Sequence, residues 1–358
     1  MSRIETVACE RLSVPLHTPF VTALRSTTAT ETLVVRVTDG DGMTGWGEAP
    51  QVWRVTGESL AGAEACVSGP LTAAIAGGDA DDLAELCRRV ATAVPGNLGA
   101  KSSVDVALHD LAARRLGVSL PRFLGTAVHQ VPTDVTLAAS DAASLGQVAE
   151  KRVADGFTVL KVKVGTSGAE DVERVRAVRE RVGPDVTIRL DANQGWDRRQ
   201  AVRVIRGIED AGLDVELVEQ PVPAHDLDGL TWVTDRVDTP ILADEAVYGV
   251  RDLVELIHRH AADMVNVKLA KCGGLSAART MLSLAAAYGV EALVGSMMES
   301  PIGVAAAASL AAAHGGRVVD DLDAAWWAAA SPVRGGLTYD GATVVLPDAP
   351  GLGVEGLA

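Results

Sequence analysis

Between residues 133 and 322 a short apolar run recurs about every 25 residues, the length of one strand-plus-helix unit. The runs are Thr133 to Leu137, Val159 to Val164, Thr187 to Leu190, Val215 to Val218, Ile241 to Ala243, Met264 to Val267, Ala292 to Val294 and Val318 to Leu322. Amphipathic stretches such as Glu170 to Val182 and Arg251 to Ala261 lie between them. Runs this short and this rich in Val, Ile and Leu read as strands buried on both faces. Eight of them alternating with helices predict an α/β fold built on a (β/α)8-type, modified TIM barrel.

The first 125 residues read differently. Residues 4 to 16 and 32 to 38 are β-rich, and Asp39-Gly40-Asp41-Gly42 before Thr44-Gly45-Trp46-Gly47-Glu48 is a hairpin signal. From about residue 58 to 117 the pattern turns helical, with Ser103, Val104, Val106, Ala107, Leu108, Leu111 and Ala112 on one face. The expected organisation is an α+β unit over 1–125, the barrel over 126–330, and a segment over 331–358 that returns to the first unit.

Composition narrows the class of partner. The 358 residues carry a formal charge of -15, which disfavours nucleic acid and anionic membrane surfaces. The opening residues lack a signal-peptide core, and the Ala-rich stretch Gly303 to Ala313 is too short for a bilayer span, so it reads as a buried helix. Cys9, Cys66, Cys87 and Cys272 lie far apart, as reduced thiols of a cytoplasmic protein would.

The polar residues at the strand ends carry the chemistry. Asp191, Glu219, Asp244 and Lys268 each fall at or just past the end of a predicted strand, the barrel face where active sites form. Strand-end aspartates also cap helices, but three carboxylates converging at one mouth call for a hard divalent cation, with Mg2+ the first expectation. Lys161 and Lys163 are two residues apart in one strand and so share a face. Their mutual repulsion would lower the pKa of one, leaving a base and a charged partner. Lys268 comes from the sixth strand, across the barrel. Lys271 competes for its role but reads as a loop residue.

Lys161-Val162-Lys163, Asp191-Ala192-Asn193, Glu219-Gln220-Pro221, Asp244-Glu245 and Asn266-Val267-Lys268, in this order and spacing, resemble the muconate-lactonizing-enzyme subgroup of the enolase superfamily. Gly45-Trp46-Gly47-Glu48-Ala49-Pro50 looks like that family's capping domain. The resemblance implies Mg2+ on Asp191, Glu219 and Asp244, a substrate carboxylate on the metal, and Lys163 and Lys268 as the two acid/base groups. Lys161 and the metal would stabilise the enediolate. Dimers or octamers are common in the family, so a homo-oligomer is expected.

Two further features select a reaction. Asp321-Leu322-Asp323, at the end of the eighth strand, resembles the DxD motif with which dipeptide epimerases of the subgroup hold a free α-ammonium group. Arg25, in the polar loop Thr22 to Thr28, resembles the arginine with which alanyl-glutamate epimerases pair a glutamate side chain; a guanidinium suits bidentate capture of a carboxylate. Met297 and Met298 are expected to line the pocket, and Trp53 and Arg54 in a second capping loop carry no assignment. The implied activity is Mg2+-dependent 1,1-proton transfer on a dipeptide, L-Ala-L-Glu to L-Ala-D-Glu, in murein-peptide recycling.

The nearest alternatives are an N-acylamino acid racemase or o-succinylbenzoate synthase, whose substrates lack the ammonium group, and a dipeptide epimerase of other specificity. Muconate cycloisomerisation fits less well, because Asp321 and Asp323 would repel a diacid. A non-catalytic metal-binding scaffold would have no need of the lysine pair.

Overall fold

The structure is a computed structural model that describes residues 2–21, 26–138 and 141–358. An antiparallel sheet opens the chain, in the order β1 (Ile4–Val21), β2 (Ser26–Asp39), β3 (Thr44–Pro50). Both strands of the first hairpin are longer than the sequence indicates. Past an irregularity between Pro15 and Phe20 the pairing resumes at Phe20 with Thr27 and Val21 with Ser26, so Ser26 to Thr28 are strand rather than loop. Arg25 lies outside the described residues.

The helix Leu98–Arg115 packs across this sheet with nearly all its side chains buried. Gly45 and Gly47 make that approach possible: a β-carbon at either would collide with backbone of Ala107 or Ser103. Asp110 then ties three parts of the chain together, accepting from Trp46 N at 2.8 Å and Leu352 N at 2.6 Å while pairing with Arg114 at 2.9 Å.

After the short strand β4 (Gln130–Pro132) come seven parallel strands that pair strictly with their chain neighbours: β5 (Val135–Leu137), β6 (Val159–Lys163), β7 (Thr187–Asp191), β8 (Val215–Glu219), β9 (Ile241–Ala243), β10 (Met264–Lys268) and β11 (Glu291–Gly295). The predicted eighth strand, Val318 to Leu322, is not a laddered strand. Only single parallel bridges, Thr133 with Asp320 and Gly295 with Asp321, join it to the two edges of the sheet. These bridges complete the ring. Strand alternation turns Leu217, Leu242, Met264 and Leu293 into an apolar plug inside it.

Helices cover the outside, among them Gly168–Val182 and Val250–Arg259, close to the spans read from the sequence. The Ala-rich segment is the helix Pro301–His314, buried over almost its whole length and adjoining β3 and β11. Among the described residues no helix is long and apolar enough to cross a membrane. The chain ends in β12 (Val333–Gly335), which pairs with β15 (Val354–Leu357), and in β13 (Thr338–Asp340) and β14 (Thr343–Val345), of which β14 pairs with β4. Gly351 bonds Val118 and Leu120 across the amino-terminal layer.

Candidate active site

Strand register delivers the site. Lys163 pairs with Asp191 and Asp191 with Glu219 across β6, β7 and β8, so three charged side chains stand abreast at the mouth of the ring. Lys268 ends β10, and β6 and β10 lie four positions apart in an eight-position ring, so Lys163 and Lys268 face each other across it. All are buried: Lys161, Lys163, Lys268, Asp191, Glu219 and Asp244 are each 6% exposed or less. Lys161, Lys163, Asp191, Asp244 and Lys268 share one cavity with Phe20, Val52, Arg54, Thr136, Met297, Met298, Asp321 and Asp323. Glu219 is tied to that group through Lys161 at 3.3 Å and Lys268 at 3.8 Å.

Ammonium and carboxylate groups interleave. Lys163 Nζ lies 2.5 Å from Asp191 Oδ2, Lys161 Nζ lies 2.5 Å from Asp321 Oδ2 and 3.3 Å from Glu219 Oε2, and Lys268 Nζ lies 2.9 Å from Asp244 Oδ2. Asn266 donates to Glu219 Oε1 at 2.9 Å. Asn193 donates its backbone N–H to Asp191 Oδ1 at 2.8 Å and its amide to Glu245 at 3.3 Å. Glu245 Oε2 and Asn193 Oδ1 are buried oxygens left without a hydrogen bond.

This lattice sets the charge states. Burial and then Asp191 push Glu219 up to about 7, and burial with Asp244 pushes Glu245 up to about 8. Burial would raise Asp321, but the ammonium groups of Lys161 and Lys268 outweigh it and hold that carboxyl at about 2. Lys161 stays charged, as expected of one member of the pair: burial acts downward, but Asp321 and Glu219 outweigh it and keep the group well above the ordinary lysine range. Asp244 and Glu219 do the same to Lys268. Counter-ions, rather than a like-charged neighbour, dominate each environment.

Asp321 and Asp323 come together as their spacing suggests, and Asp134 joins them: one oxygen from each lies within 4.8 Å of the others. Asp323 also accepts from Thr136 N at 2.8 Å and Trp327 Nε1 at 2.9 Å. Met297 packs with Val52, Ala270 and Val55, and Met298 faces the main core. Arg54 reaches the cavity while Trp53 remains 60% exposed.

One participant is misplaced by the sequence reading and another is missed. Lys271 is not in a loop but in the helical turn Leu269–Cys272, fully buried, with Nζ on both the carboxylate and the carbonyl of Asp244. Arg189 is the buried cation below the site, donating to Glu216 at 2.5 Å, Asp134 at 3.2 Å and Val319 O at 2.6 Å. Its signal was available, since alternation puts Arg189 on the same side of β7 as Asp191. Lys271 left none, because a helical turn breaks the alternation.

The chain is similar to known proteins over nearly its whole length. Residues 4–125 match the amino-terminal domain of mandelate racemase / muconate lactonizing enzyme, and residues 144–356 match the enolase C-terminal domain-like family. The L-Ala-D/L-Glu epimerase of Bacillus subtilis (strain 168) is 42% identical over 99% of this chain and 97% of its own length. A solved substrate-liganded complex of the L-Ala-D/L-Glu epimerase from Bacillus subtilis superposes with a TM-score of 0.97 at 41% identity, covering 99% of both chains. The dipeptide epimerase of Enterococcus faecalis V583, solved with Mg and L-Leu-L-Tyr, gives 0.94 at 35% identity over 98% of this chain and 99% of its own. With both domain models matched in order and the barrel-mouth lattice in place, the chain belongs to the mandelate racemase / muconate lactonizing enzyme family of the enolase superfamily.

Proposed function

We propose that this protein epimerises a dipeptide by 1,1-proton transfer, with L-Ala-L-Glu to L-Ala-D-Glu as the reaction. The observation that carries the reading is the placement of Lys163 and Lys268 on opposite sides of one buried cavity, with Asp321 and Asp323 between them at the eighth position. Two opposed bases suit removal of a proton from one face of a carbon and its return to the other. The similarity to dipeptide epimerases over the whole chain supports the same reaction class.

A divalent cation fits the donor set. Asp191, Glu219 and Asp244 offer only oxygen, and the carboxyl groups of Asp191, Glu219, Asp244, Glu245, Asp321 and Asp323 outnumber the cations Arg54, Lys161, Lys163, Lys268 and Lys271 around them. Orphaned Glu245 Oε2 and Asn193 Oδ1 lie beside them. Those three residues would hold Mg2+, which on binding would take over the carboxylate charge that keeps Lys268 protonated and would hold the substrate carboxylate.

The chain's own residues do the rest. Lys163 and Lys268 exchange the α-proton, and Lys161, placed between Glu219 and Asp321, faces the negative charge that develops. Asp321 and Asp323 receive the substrate's α-ammonium group, an assignment that favours a dipeptide over an N-acyl amino acid. Met297 and Met298 bound the pocket. Arg25 pairs with the substrate's glutamate side chain, a role that rests on the sequence resemblance. Free thiols suit a reducing, cytoplasmic setting in murein-peptide turnover.

Incubation with Mg2+ and L-Ala-L-Glu in D2O tests the reading. The expected outcome is deuterium at the glutamate α-carbon together with the L,D epimer, followed by NMR. An unexchanged α-proton and no epimer with this substrate would remove the assignment.

A further inference from the structure

Two buried acids outside the lysine lattice meet at the boundary between the amino-terminal layer and the barrel. Glu48 ends the Gly-Trp-Gly-Glu segment of β3, and Glu299 follows the pocket methionines Met297 and Met298; they are 4% and 3% exposed. Both reach the same point, since a β-carbon on Gly303 would collide with Glu299 Oε2 and press tightly on the carboxyl end of Glu48. No lysine, arginine or histidine lies within ion-pair distance of either among the described residues.

Their surroundings are unequal. Glu48 accepts from Ser300 N at 2.8 Å on one oxygen and from the Ser300 hydroxyl on the other, so both of its oxygens are bonded. Burial pushes the Glu48 carboxyl up, but these two Ser300 donors oppose it and favour its ionised form over that of Glu299. Glu299 receives only Met297 N, at 3.0 Å on Oε1, so its Oε2, the oxygen turned toward Glu48, is free to carry a proton.

We propose that Glu48 and Glu299 share a single proton, and that this neutral-plus-ionised pair is a positioning device that fixes the Met297–Met298 wall of the substrate cavity to the amino-terminal layer. Two adjacent buried carboxylates without a cation cannot both ionise without driving their elements apart. The elements here are β3 and the segment leading from β11 into the helix Pro301–His314, whose first turn Ser300 caps by accepting from Ile302 N at 3.2 Å. Burial, with Glu48 adding to it, pushes Glu299 up to about 8, which agrees with the geometry.

The other charged groups around the pair do not replace the proton. Lys268 and Asp321 act on Glu299 only through longer-range and mutually opposed fields. On the helix packed over β3, Lys101 donates to Ala91 and Val94 carbonyls, Asp105 accepts from Ser276, His109 bonds the Asp105 carbonyl, and Asp110 pairs with Arg114. The helix Pro301–His314 carries no ionisable side chain except His314, at its far end.

The test compares the full-length wild type with Glu299→Gln and Glu48→Gln from pH 5 to 9, by calorimetric Tm and by the KM and kcat of α-proton exchange. Because the folded protein binds this proton more tightly than the unfolded chain, the wild type should lose Tm relative to Glu299→Gln as pH rises from 5 to 8, with the gap constant beyond. The KM of the wild type should rise severalfold from pH 7 to 9 while that of Glu299→Gln stays level, with kcat following the same profile in both. Glu48→Gln, which removes the neighbouring charge, should move the Tm slope to lower pH. Superimposable Tm and KM profiles for the wild type and Glu299→Gln would overturn the proposal; if Glu299→Gln fails to fold, an unmoved slope in Glu48→Gln does so. The kinetic arm rests on the dipeptide-epimerase reading. The thermal arm does not, so a wild type inert toward every dipeptide would fail that reading while Tm still decides this one.

Discussion

The ring around the site is closed in two different ways. Seven positions, β5 to β11, are joined through backbone pairing, and the register of β6 to β8 sets Lys163, Asp191 and Glu219 side by side. The eighth is joined by two isolated bridges reinforced by side chains: Asp320 Oδ1 accepts from Val294 N at 2.8 Å, Thr133 Oγ1 from Leu322 N at 2.9 Å, and Asp323 Oδ2 from Thr136 N at 2.8 Å. A ladder satisfies its own backbone and leaves the strand-end side chains for chemistry. Where the ladder is missing, side chains bond the backbone instead, and Asp323 does so while also lining the cavity.

The sharpest break in this comparison comes from the ladder side. Lys163→Ala and Lys268→Ala should each lower epimerisation by about three orders of magnitude, the range of positioned acid-base catalysis, with little loss of fold. Each variant should still exchange the α-proton of one stereoisomer in D2O, a different one for each lysine. Equal loss of exchange on both stereoisomers in both variants would mean that the two lysines act as one unit rather than from opposite faces.

Asp321→Asn and Asp323→Asn probe the other closure at smaller amplitude. Asparagine preserves an acceptor for Thr136 N and Trp327 Nε1 at position 323, so the fold should hold while the charge is lost. Dipeptide kcat/KM should fall about 10- to 100-fold, the worth of a charge-assisted hydrogen bond, with activity toward an N-acyl amino acid changing far less. A parallel fall for both substrate types would assign these aspartates to the closure alone.

The same contrast explains what the sequence made legible. The seven laddered strands show as apolar runs because both faces are covered, and the site residues show as charges at or just past the ends of those runs. The eighth run, Val318 to Leu322, has the composition of a strand but holds Asp320 and Asp321 where a ladder would need none, and its pairing depends on a partner nearly 200 residues away. Lys271 and the Glu48–Glu299 contact were hidden for a related reason: each is made between separate elements, and no local periodicity encodes it. Arg25 stands on resemblance alone.

Asp320 gives the smallest and most specific break. Burial pushes its carboxyl up to about 7 against the pull of Val294 N–H and Arg189. A folded-state pKa above the unfolded one means that the folded chain binds the proton more tightly, so this contribution is complete below about pH 4, where unfolded aspartate also protonates, and is lost as pH rises through 7. An asparagine side chain at this position keeps an acceptor for Val294 N–H and has nothing to titrate. In Asp320→Asn, Tm relative to the wild type should therefore climb by a few degrees from pH 4 to 8 and level off, while kcat/KM at neutral pH stays within about twofold, because the carboxyl bonds the edge of β11 and does not line the cavity. If the Tm difference is flat across that range, Asp320 is ionised inside the fold, and the eighth position is closed by a buried charge rather than by a neutral acid standing in for a rung of the ladder.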